Sequence, residues 1–561
     1  MASRVRKSRP GPTTTPSPEP AGLTVFSTPL FIVFAIAFLT TLILYAAAAR
    51  GQFIFDDIHL PFANPNAANM PWQFWIGGVR PVLVATYWAN FLISGTAPLT
   101  YHLLNFLIHA VNATLIFQIA SLLLKQNRAA IYFCTALFLV HPLQSESVAY
   151  IAGRSELFSG TFLLAAWLVF LQADTAPISL RRGIAILALW GLALGAKETA
   201  ISLPLILFVT DLARAKTLRE GVRIHFRFFV VLAALGTVAA LLILAAISSH
   251  PLTGFGTRGT SPALYLLSQS RAVLLYLRLF LVPLAQNGDW GIRAFNSLLD
   301  RGAFAYALAV LALGWAALRF ERGNHIWRLG FLFFLVSLAP ASSVVPLPDI
   351  VAERRLYLPL FGLILMLVSV LPLKSHAFML TVVFALSILT GLRAAIWADR
   401  LTFWSNASQG NPENARAHIG YGAALLERGK PRPALEQFET ARRLDPASHL
   451  ALADIASAHQ ALQEWKAALT DLQQLSGLRP TAENFTLLGS VAAHLGDLNQ
   501  ATFNLNKAVK IDPDYAPAYG YLAAIEVARN QIPEARADID RALALDPNNA
   551  VALYARGLLP K

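Results

Sequence analysis

The chain has 561 residues, of which 56% are hydrophobic and only 14% are charged. An ordinary soluble protein carries about 25% charged residues, so this composition places much of the chain in lipid. The formal net charge is +13, but the basic residues cluster between apolar runs, as the cytoplasmic ends of membrane helices require, and this argues against nucleic-acid binding. The single cysteine, Cys134, excludes an intrachain disulfide and a cysteine metal cluster.

The first segments predict a cytoplasmic tail and a membrane anchor. Residues 1–21 are rich in Pro, Ser, Thr and Arg and lack an apolar face, so they are predicted to be a disordered tail. The apolar run 23–48 is long enough to cross a bilayer, and the basic residues before it place the N-terminus inside. We therefore expect a retained first span and not a cleaved signal peptide.

Further apolar runs predict a polytopic bundle of about eleven spans, several of them shorter than the roughly 20 residues that a straight span needs. With the N-terminus inside, the basic segments between these runs fall on the cytoplasmic side. After the first span, the predicted spans are 101–124, 129–140, 157–171, 183–196, 201–212, 228–247, 304–318, 329–339, 356–373 and 378–396.

One apolar segment, 263–284, differs because it carries Arg271 and Arg278 on one helical face. Two arginines on one face suit a helix that lies at a membrane surface or lines a cavity. We therefore predict an interfacial or partly embedded helix on the outer side. If the segment crossed the membrane, the later loops would invert, so an extracytoplasmic C-terminal domain depends on this prediction.

The C-terminal domain, residues 411–561, is predicted from a sequence period. Prolines recur at positions 412, 446, 480, 513 and 547, which are 33 or 34 residues apart. This is the period of tetratricopeptide repeats, whose helix pairs stack into a superhelix with a concave face that binds peptide. Small residues such as Gly422 and Gly489 stand where paired helices approach closely. We predict about four repeats that form a recognition module; a folding or spacer role is the alternative.

An acidic pair, Asp56 and Asp57, follows the first span directly, with His59 two residues later. Adjacent carboxylates raise each other's proton affinity unless a cation compensates. Such a pair at a membrane edge therefore indicates a functional base or a bound partner. A solvated loop turn is the alternative.

A second polar group begins at Arg80. Further along the chain, His102 and Asn105 share one helical face with His109, because offsets of three and seven return to the same side of a helix. Polar groups on one face of a membrane helix point towards the bundle interior or a wet cavity. Substrate contact and a structural hydrogen-bond network are both open.

A dense polar segment between two apolar runs carries His141, Glu146, Arg154 and Glu156. It is more polar than a connecting loop requires. The alternative for Glu156 is an ion pair with Arg154 or a favourable charge at a helix N-terminus. Lys197 follows at the outer end of a later span, where it and the glutamate after it are able to neutralise each other.

An arginine motif, Arg354 and Arg355 followed by Tyr357, lies just before a late predicted span. Arginines on the outer side run against the positive-inside tendency, and a guanidinium offers paired donors and a permanent charge to a phosphate. We therefore predict a phosphate or pyrophosphate headgroup site, to which Arg271 contributes if its helix lies at the same surface. A structural ion pair with Glu353 is the alternative.

The motifs at 55–59, 80–81 with 101–105, 141–156, 196–198 and 352–359 occur in this order ahead of the repeats. In this arrangement the chain resembles the transmembrane and tetratricopeptide-repeat O-mannosyltransferases. The resemblance implies an all-α fold, in which a C-type membrane glycosyltransferase domain over 22–400 precedes the α-solenoid. Such enzymes draw sugar from a polyprenyl-phosphate carrier on the extracytoplasmic side.

The resemblance also implies catalytic roles. Protein O-mannosyltransferases, which look similar in fold, carry an Asp-Glu pair in the first outer loop with His two places later. Asp56, Asp57 and His59 lie on those positions, with the shorter Asp in place of Glu at 57. Asp56 and Asp57 are thus the expected catalytic residues. Substrate or donor-phosphate binding is predicted for His59, Arg80, His102, Asn105, His141, Glu146, Arg154, Glu156, Lys197, Arg271, Arg354, Arg355 and Tyr357, and no metal ligand is predicted.

The expected function is transfer of a sugar, mannose by resemblance, from a polyprenyl-phosphate donor to Ser or Thr hydroxyls, with the repeats holding the acceptor polypeptide. The donor is the only cofactor-like molecule implied, and a divalent metal stays open, as does the choice between a bacterial plasma membrane and an endoplasmic reticulum. One alternative is transfer to a lipid or glycan. Another is a non-catalytic scaffold that recruits partners through the repeats. A transporter is less favoured, because the polar groups lie in loops and helix ends.

Overall fold

The computed structural model describes residues 28–64, 66–125, 127–173, 176–214, 224–248, 261–320 and 324–560. Within these ranges the secondary structure is helical and contains no β-strand, which confirms the predicted all-α class. The predicted tail, 1–21, and the first residues of the first predicted span lie outside the described residues.

The N-terminal part is a bundle of helices joined by short 3₁₀ turns. Its helices are α1 Thr28–Leu44, α2 Ala46–Ala49, α3 Trp72–Ile76, α4 Pro81–Ser94, α5 Pro98–Leu124, α6 Arg128–Val140, α7 Ser145–Ala149, α8 Arg154–Leu171, α9 Leu180–Ala196, α10 Leu203–Arg214, α11 Phe226–Ser248, α12 Pro262–Leu281, α13 Ala303–Phe320, α14 His325–Leu338, α15 Pro359–Val370 and α16 His376–Ile396.

Each predicted span coincides with one of these helices. Six helices in the described ranges are long and apolar enough to cross a membrane, and five shorter ones are also apolar. In α11 and α13 only 6% of the apolar window is buried inside the protein, as expected for helices that face lipid. Helix α4 corresponds to no predicted span, because Tyr87 and Asn90 interrupt its apolar pattern. In the structure the Tyr87 and Asn90 side chains are buried. The number of spans that cross the membrane stays a prediction.

Helix α12 is the segment whose orientation decides the topology. Three of its polar side chains contact one loop: Tyr265 donates to the Ala341 carbonyl at 3.5 Å, Gln269 to Ile350 at 3.3 Å and Tyr276 to Ala352 at 3.1 Å. That loop lies at the end of the bundle that contacts the repeats, which we call the repeat-side end. The helix meets the length and composition of a span, but these contacts favour the predicted orientation along a surface.

The bundle contains a close helix crossing between α14 and α15. A Cβ added to Gly330 would lie 2.6 Å from the Gly362 carbonyl oxygen and 2.9 Å from the Met366 nitrogen. A Cβ added to Gly362 would lie 2.7 Å from the Phe334 nitrogen. Small residues at such crossings let membrane helices pack backbone against backbone.

We expect Gly330→Ala to lower the thermal stability of the detergent-solubilised protein, because the added methyl meets backbone atoms that cannot move aside. Overpacking of this kind costs about 1–3 kcal/mol. The matched control is Gly314→Ala in α13, where an added Cβ meets nothing within 4 Å. Equal melting temperatures for the two variants would contradict the close crossing.

The C-terminal part is a solenoid of helix pairs that follows a linker helix, α17 Arg400–Gly410. The predicted close approaches occur, since a Cβ added to Gly422 would lie 2.5 Å from the Phe438 ring and one added to Gly489 would lie 2.8 Å from Leu505. The solenoid helices are α18 Ala415–Glu427, α19 Pro431–Leu444, α20 His449–Ala461, α21 Trp465–Leu478, α22 Ala482–His494, α23 Leu498–Ile511, α24 Ala516–Ala528, α25 Ile532–Leu545 and α26 Ala550–Gly557.

Candidate active site

The acidic pair lies in a 3₁₀ helix, Phe55–His59, which we call the acidic loop. The structure separates its two carboxyl groups. Asp57 is fully buried, and its oxygens accept hydrogen bonds from the backbone N–H of Ala152 at 2.8 Å and of Ile54 at 3.4 Å. Burial raises the pKa of Asp57 to about 8, since the backbone donors only partly offset the loss of water. Asp57 thus ties the loop to the segment that precedes α8.

Asp56, in contrast, is exposed, as is His59. The backbone N–H of Asp56 donates to the Tyr150 hydroxyl at 3.1 Å, so the tyrosine lies directly beside it. Burial, with the negative charges of Asp57 and Asp56 adding to it, raises the pKa of Tyr150 well above its usual value. The two environments favour Asp56 as the carboxylate that acts on a substrate and Asp57 as the one that holds the loop.

We expect Asp57→Ala to destabilise the protein by about 1–3 kcal/mol, because it leaves the backbone N–H groups of Ala152 and Ile54 without their buried acceptor. Thermal unfolding in detergent measures the change. The neighbouring Asp56→Asn variant is the control. It should unfold at the same temperature as the wild type, because the Asp56 side chain is exposed. An equal loss of stability in both variants would show that the two carboxyl groups are not distinguished by burial.

A buried arginine lies behind the acidic loop. Arg154 donates to the Asn105 side-chain oxygen and to the Tyr101 carbonyl, both at 2.9 Å, and its guanidinium lies 4.8 Å from the ring centre of Tyr87. Asn105 in turn donates to the Tyr150 carbonyl at 3.2 Å. The suggested ion pair between Arg154 and Glu156 is therefore wrong, because Arg154 turns inward from the start of α8 to backbone and aromatic partners.

Two ion pairs lie near the N-terminus of α8. Arg80 makes a bidentate pair with Glu198, with distances of 2.7 and 2.9 Å, and Lys197 pairs with Glu156. Lys197 and Glu198 form their ion pairs with different residues, but their opposite charges also act on each other, so the suggested neutralisation holds only in part. Arg80 stays partly accessible, with 37% of its side chain exposed.

The arginine motif divides its residues among different partners. Arg354 pairs with buried Glu146, whose carboxylate also accepts a hydrogen bond from the Arg354 backbone N–H at 3.0 Å. The Arg354 guanidinium also lies 3.8 Å from the Asp349 carboxylate. The suggested pairing of these arginines with Glu353 is wrong. Arg355 instead donates to the backbone carbonyls of Asp349 and Ile350 at 2.7 and 3.0 Å.

Glu353 is buried and holds a different loop. It accepts hydrogen bonds from the Gln286 side chain at 2.6 Å, the Asn287 backbone N–H at 3.0 Å and the Trp290 ring at 3.2 Å. Burial raises the pKa of Glu353 to about 7, although the nearby Arg393 opposes this shift. The dipeptide Glu353–Arg354 thus links two loops at the repeat-side end.

Two further predicted site residues have structural partners inside the bundle. His141 accepts from the Leu143 backbone N–H at 3.2 Å and donates to the Phe280 carbonyl at 3.1 Å. The Tyr357 hydroxyl lies 2.9 Å from both His109 and Asn112. These contacts favour the structural network over substrate contact for both residues.

His102 adjoins the network of the buried Arg154, whereas Arg271 lies apart from these networks. His102 is buried beside Phe106, with ring centres 6.3 Å apart. Arg271 is half-buried on α12, and it makes no hydrogen bond or ion pair with other described residues.

A narrow crevice opens between the start of α8, the 3₁₀ turn Glu198–Ser202 and the start of α15. Glu156, Ser159, Thr199, Arg355, Leu358 and Pro359 are among its lining residues. Arg355 makes no ion pair within 4 Å in the described part of the chain, although its charge acts on Asp349, whereas Arg354 has two carboxylates within 4 Å. Of the two arginines in the motif, Arg355 is therefore the one better placed to bind an anion.

A larger cavity, of about 490 Å³, lies between the membrane bundle and the first repeat. The sequence did not indicate it, because it forms where three segments distant in the chain meet. Its lining includes Arg293, Leu347, Asp349, Glu413, Arg416 and Asp445. Arg416 also contacts the ring of Phe55, next to Asp56, with the guanidinium 5.4 Å from the ring centre.

Among described residues, no group of three or more His, Cys, Asp or Glu side chains could hold a metal ion.

The fold and these clusters define a multi-pass membrane protein with a tetratricopeptide-repeat domain. A family model described as tetratricopeptide repeat matches residues 492–558. Among solved structures, a chain titled "Crystal structure of YrrB: a TPR protein with an unusual peptide-binding site" is 23% identical, covering 31% of this chain and 88% of that one with a TM-score of 0.26.

Relatives cover most of the chain. Protein O-mannosyl-transferase TMTC3 of Mus musculus is 26% identical over 85% of this chain and 58% of its own length. Protein O-mannosyl-transferase F38B6.6 of Caenorhabditis elegans is 25% identical over 72% of this chain and 62% of its own length. These similarities confirm the predicted resemblance to the transmembrane and tetratricopeptide-repeat O-mannosyltransferases. The chain spans somewhat more than half the length of these curated relatives.

Proposed function

We propose that this chain is a membrane glycosyltransferase that transfers a sugar, most simply mannose, from a polyprenyl-phosphate donor to Ser or Thr hydroxyls of polypeptides on the extracytoplasmic side. The observation that carries the proposal is the exposed Asp56 beside the buried, loop-holding Asp57, at the end of the bundle that contacts the repeats. The printed names of the relatives, protein O-mannosyl-transferases, support the same reaction.

In the proposed reaction the acceptor hydroxyl oxygen attacks the anomeric carbon of the donor sugar. The bond between that carbon and the phosphate oxygen breaks, and the phosphate leaves with the bonding electrons. Asp56 takes the hydroxyl proton as the new bond forms, and general-base help of this kind contributes about 10²–10⁴ in rate. Cationic groups that meet the leaving phosphate stabilise its charge. Arg355, which lines the crevice and has no carboxylate within 4 Å in the described part of the chain, is the strongest candidate for that role.

In this proposal the acceptor polypeptide binds in the cavity between the bundle and the first repeat. The cavity adjoins Arg416, which contacts the acidic loop through Phe55. Repeat solenoids bind extended peptides along their concave faces. A polypeptide held by the repeats would therefore lie beside the exposed carboxylate. This arrangement supports a protein acceptor over a lipid acceptor.

We expect Asp56→Asn to reduce sugar transfer by about 10²–10⁴-fold, because the amide cannot accept the hydroxyl proton. The measurement is transfer of labelled mannose from polyprenyl-phosphate mannose to a Ser/Thr peptide by purified protein. Gln52→Ala, at an exposed position just before the same loop, is the comparison that shows whether the loss is specific to the carboxylate. Full activity of Asp56→Asn in an active preparation would end the proposed role of Asp56.

We expect Arg355→Gln to weaken use of the donor by about 10–100-fold in kcat/KM, as loss of a charge-assisted hydrogen bond worth about 1.5–3 kcal/mol implies. Arg278→Gln is the matched control, because Arg278 is exposed on α12 and donates only to the Leu284 carbonyl in the described structure. Both variants lose one positive charge. Similar donor kinetics for the two would exclude Arg355 from the phosphate site.

A further inference from the structure

The residue before Asp56 has an unusual backbone conformation. Phe55 has a φ of 54°, in the left-handed region that an aromatic residue seldom occupies. A strained conformation of this kind persists only where the surrounding structure holds it, and it occurs often at functional sites. What holds Phe55 therefore also fixes the start of the acidic loop and the position of Asp56.

Of the four ring and cation contacts that Phe55 makes with described residues, three come from outside the membrane bundle. The linker helix α17 supplies Phe403 and Trp404, each with its ring centre 5.7 Å away. The first repeat helix supplies Arg416, whose guanidinium lies 5.4 Å from the ring centre, within the range of a cation–π interaction. The bundle itself supplies the Tyr150 ring at 5.9 Å.

Arg416 is itself fixed by two carboxylates of the bundle. It makes a bidentate pair with Asp289, in which the Nε to Oδ2 distance is 2.6 Å, and it reaches the Asp349 carboxylate at 2.8 Å. Asp289 is almost completely buried, whereas 45% of the Arg416 side chain stays exposed. A buried carboxylate that lost this partner would be costly, so Arg416 is the obligatory cation at this junction.

The loop that carries Asp289 lies directly against the linker and the first repeat. A Cβ added to Gly288 would clash with the Phe403 ring, and one added to Gly291 would clash with Asn414. Asn414 donates to the Asp289 carbonyl at 3.1 Å, and Asn411 donates to the Trp290 carbonyl at 2.7 Å. This loop is the one held from inside by Glu353. The junction is thus a packed, specific interface.

From these contacts we propose that Arg416 is a positioning residue, through which docking of the repeat domain sets the conformation of Phe55 and so places Asp56 for sugar transfer. The repeat domain then takes part in the chemical step and not only in binding the acceptor polypeptide. This inference rests on the proposed function. It assigns to the first repeat a role that no motif in the repeat sequence indicates.

The kinetic test uses full-length Arg416→Gln and measures transfer from polyprenyl-phosphate mannose to a long acceptor polypeptide and to a short Ser/Thr peptide. We expect kcat to fall at least tenfold with both acceptors, while KM for the short peptide, which does not depend on capture by the repeats, changes less than twofold. Arg416→Lys keeps the positive charge over the ring but loses the bidentate geometry, so it should recover part of the lost kcat. Arg432→Gln is the matched control, because Arg432 pairs with Glu464 at an exposed position within the repeats.

A different kinetic result would show that Arg416 does not position Asp56. If the repeats serve only to capture the polypeptide, Arg416→Gln will raise KM for the long acceptor and leave transfer to the short peptide unchanged. That outcome would overturn the positioning role. It would leave the proposed glycosyltransferase activity standing, since the wild type and Arg432→Gln would both transfer sugar.

A second measurement tests the positioning without relying on activity. Hydrogen exchange of the backbone amides over 54–59 should be at least tenfold faster in Arg416→Gln than in the wild type, with exchange in α14 and α15 unchanged as a check on folding. Asp289→Asn removes the other partner of this ion pair, so it should speed exchange of the same amides. The double variant should exchange little faster than either single variant. Unchanged exchange in the acidic loop would refute the inference whatever the chain catalyses.

Discussion

The dipeptide Glu353–Arg354 joins the segments on which the candidate site depends. Glu353 holds the loop that carries Asp289, and Arg354 holds the segment that carries Tyr150 through its pair with Glu146. Glu146 and Glu353 are completely or almost completely buried. Leaving one partner of a buried pair alone costs about 3–5 kcal/mol, so these contacts have to form together. The acidic loop and the repeat junction are therefore parts of one polar network.

This network explains why two adjacent carboxyl groups differ in role. Asp57 turns inward to the backbone of Ala152, in the segment that Arg354 helps to hold, and Asp56 turns outward beside Tyr150. The difference does not come from the two residues themselves, which are chemically identical. It comes from which side of a short 3₁₀ turn faces the bundle. The Asp57 side chain, although shorter than that of a glutamate, reaches two backbone donors.

The charged pairs show where reasoning from neighbouring residues fails. Glu156 pairs with Lys197 and not with Arg154, and Glu198 pairs with Arg80 and not with Lys197. Residues one or two apart at the start of a helix point in different directions, so they rarely pair with each other. Each charge instead finds a partner on another helix that packs beside it. Proximity in sequence was a poor guide to these partners.

The sequence by itself determined the division into a membrane part and a repeat part, the helical class, and the candidate residues of the acidic loop. These follow from apolar runs, a period of 33 or 34 residues and short motifs, all of which are local properties of the chain. Only the tertiary structure decided that Asp56 is exposed while Asp57 is buried, that Arg355 differs from Arg354, and that Arg416 contacts Phe55. These depend on contacts between residues that lie about a hundred to several hundred positions apart, and no local pattern records such contacts.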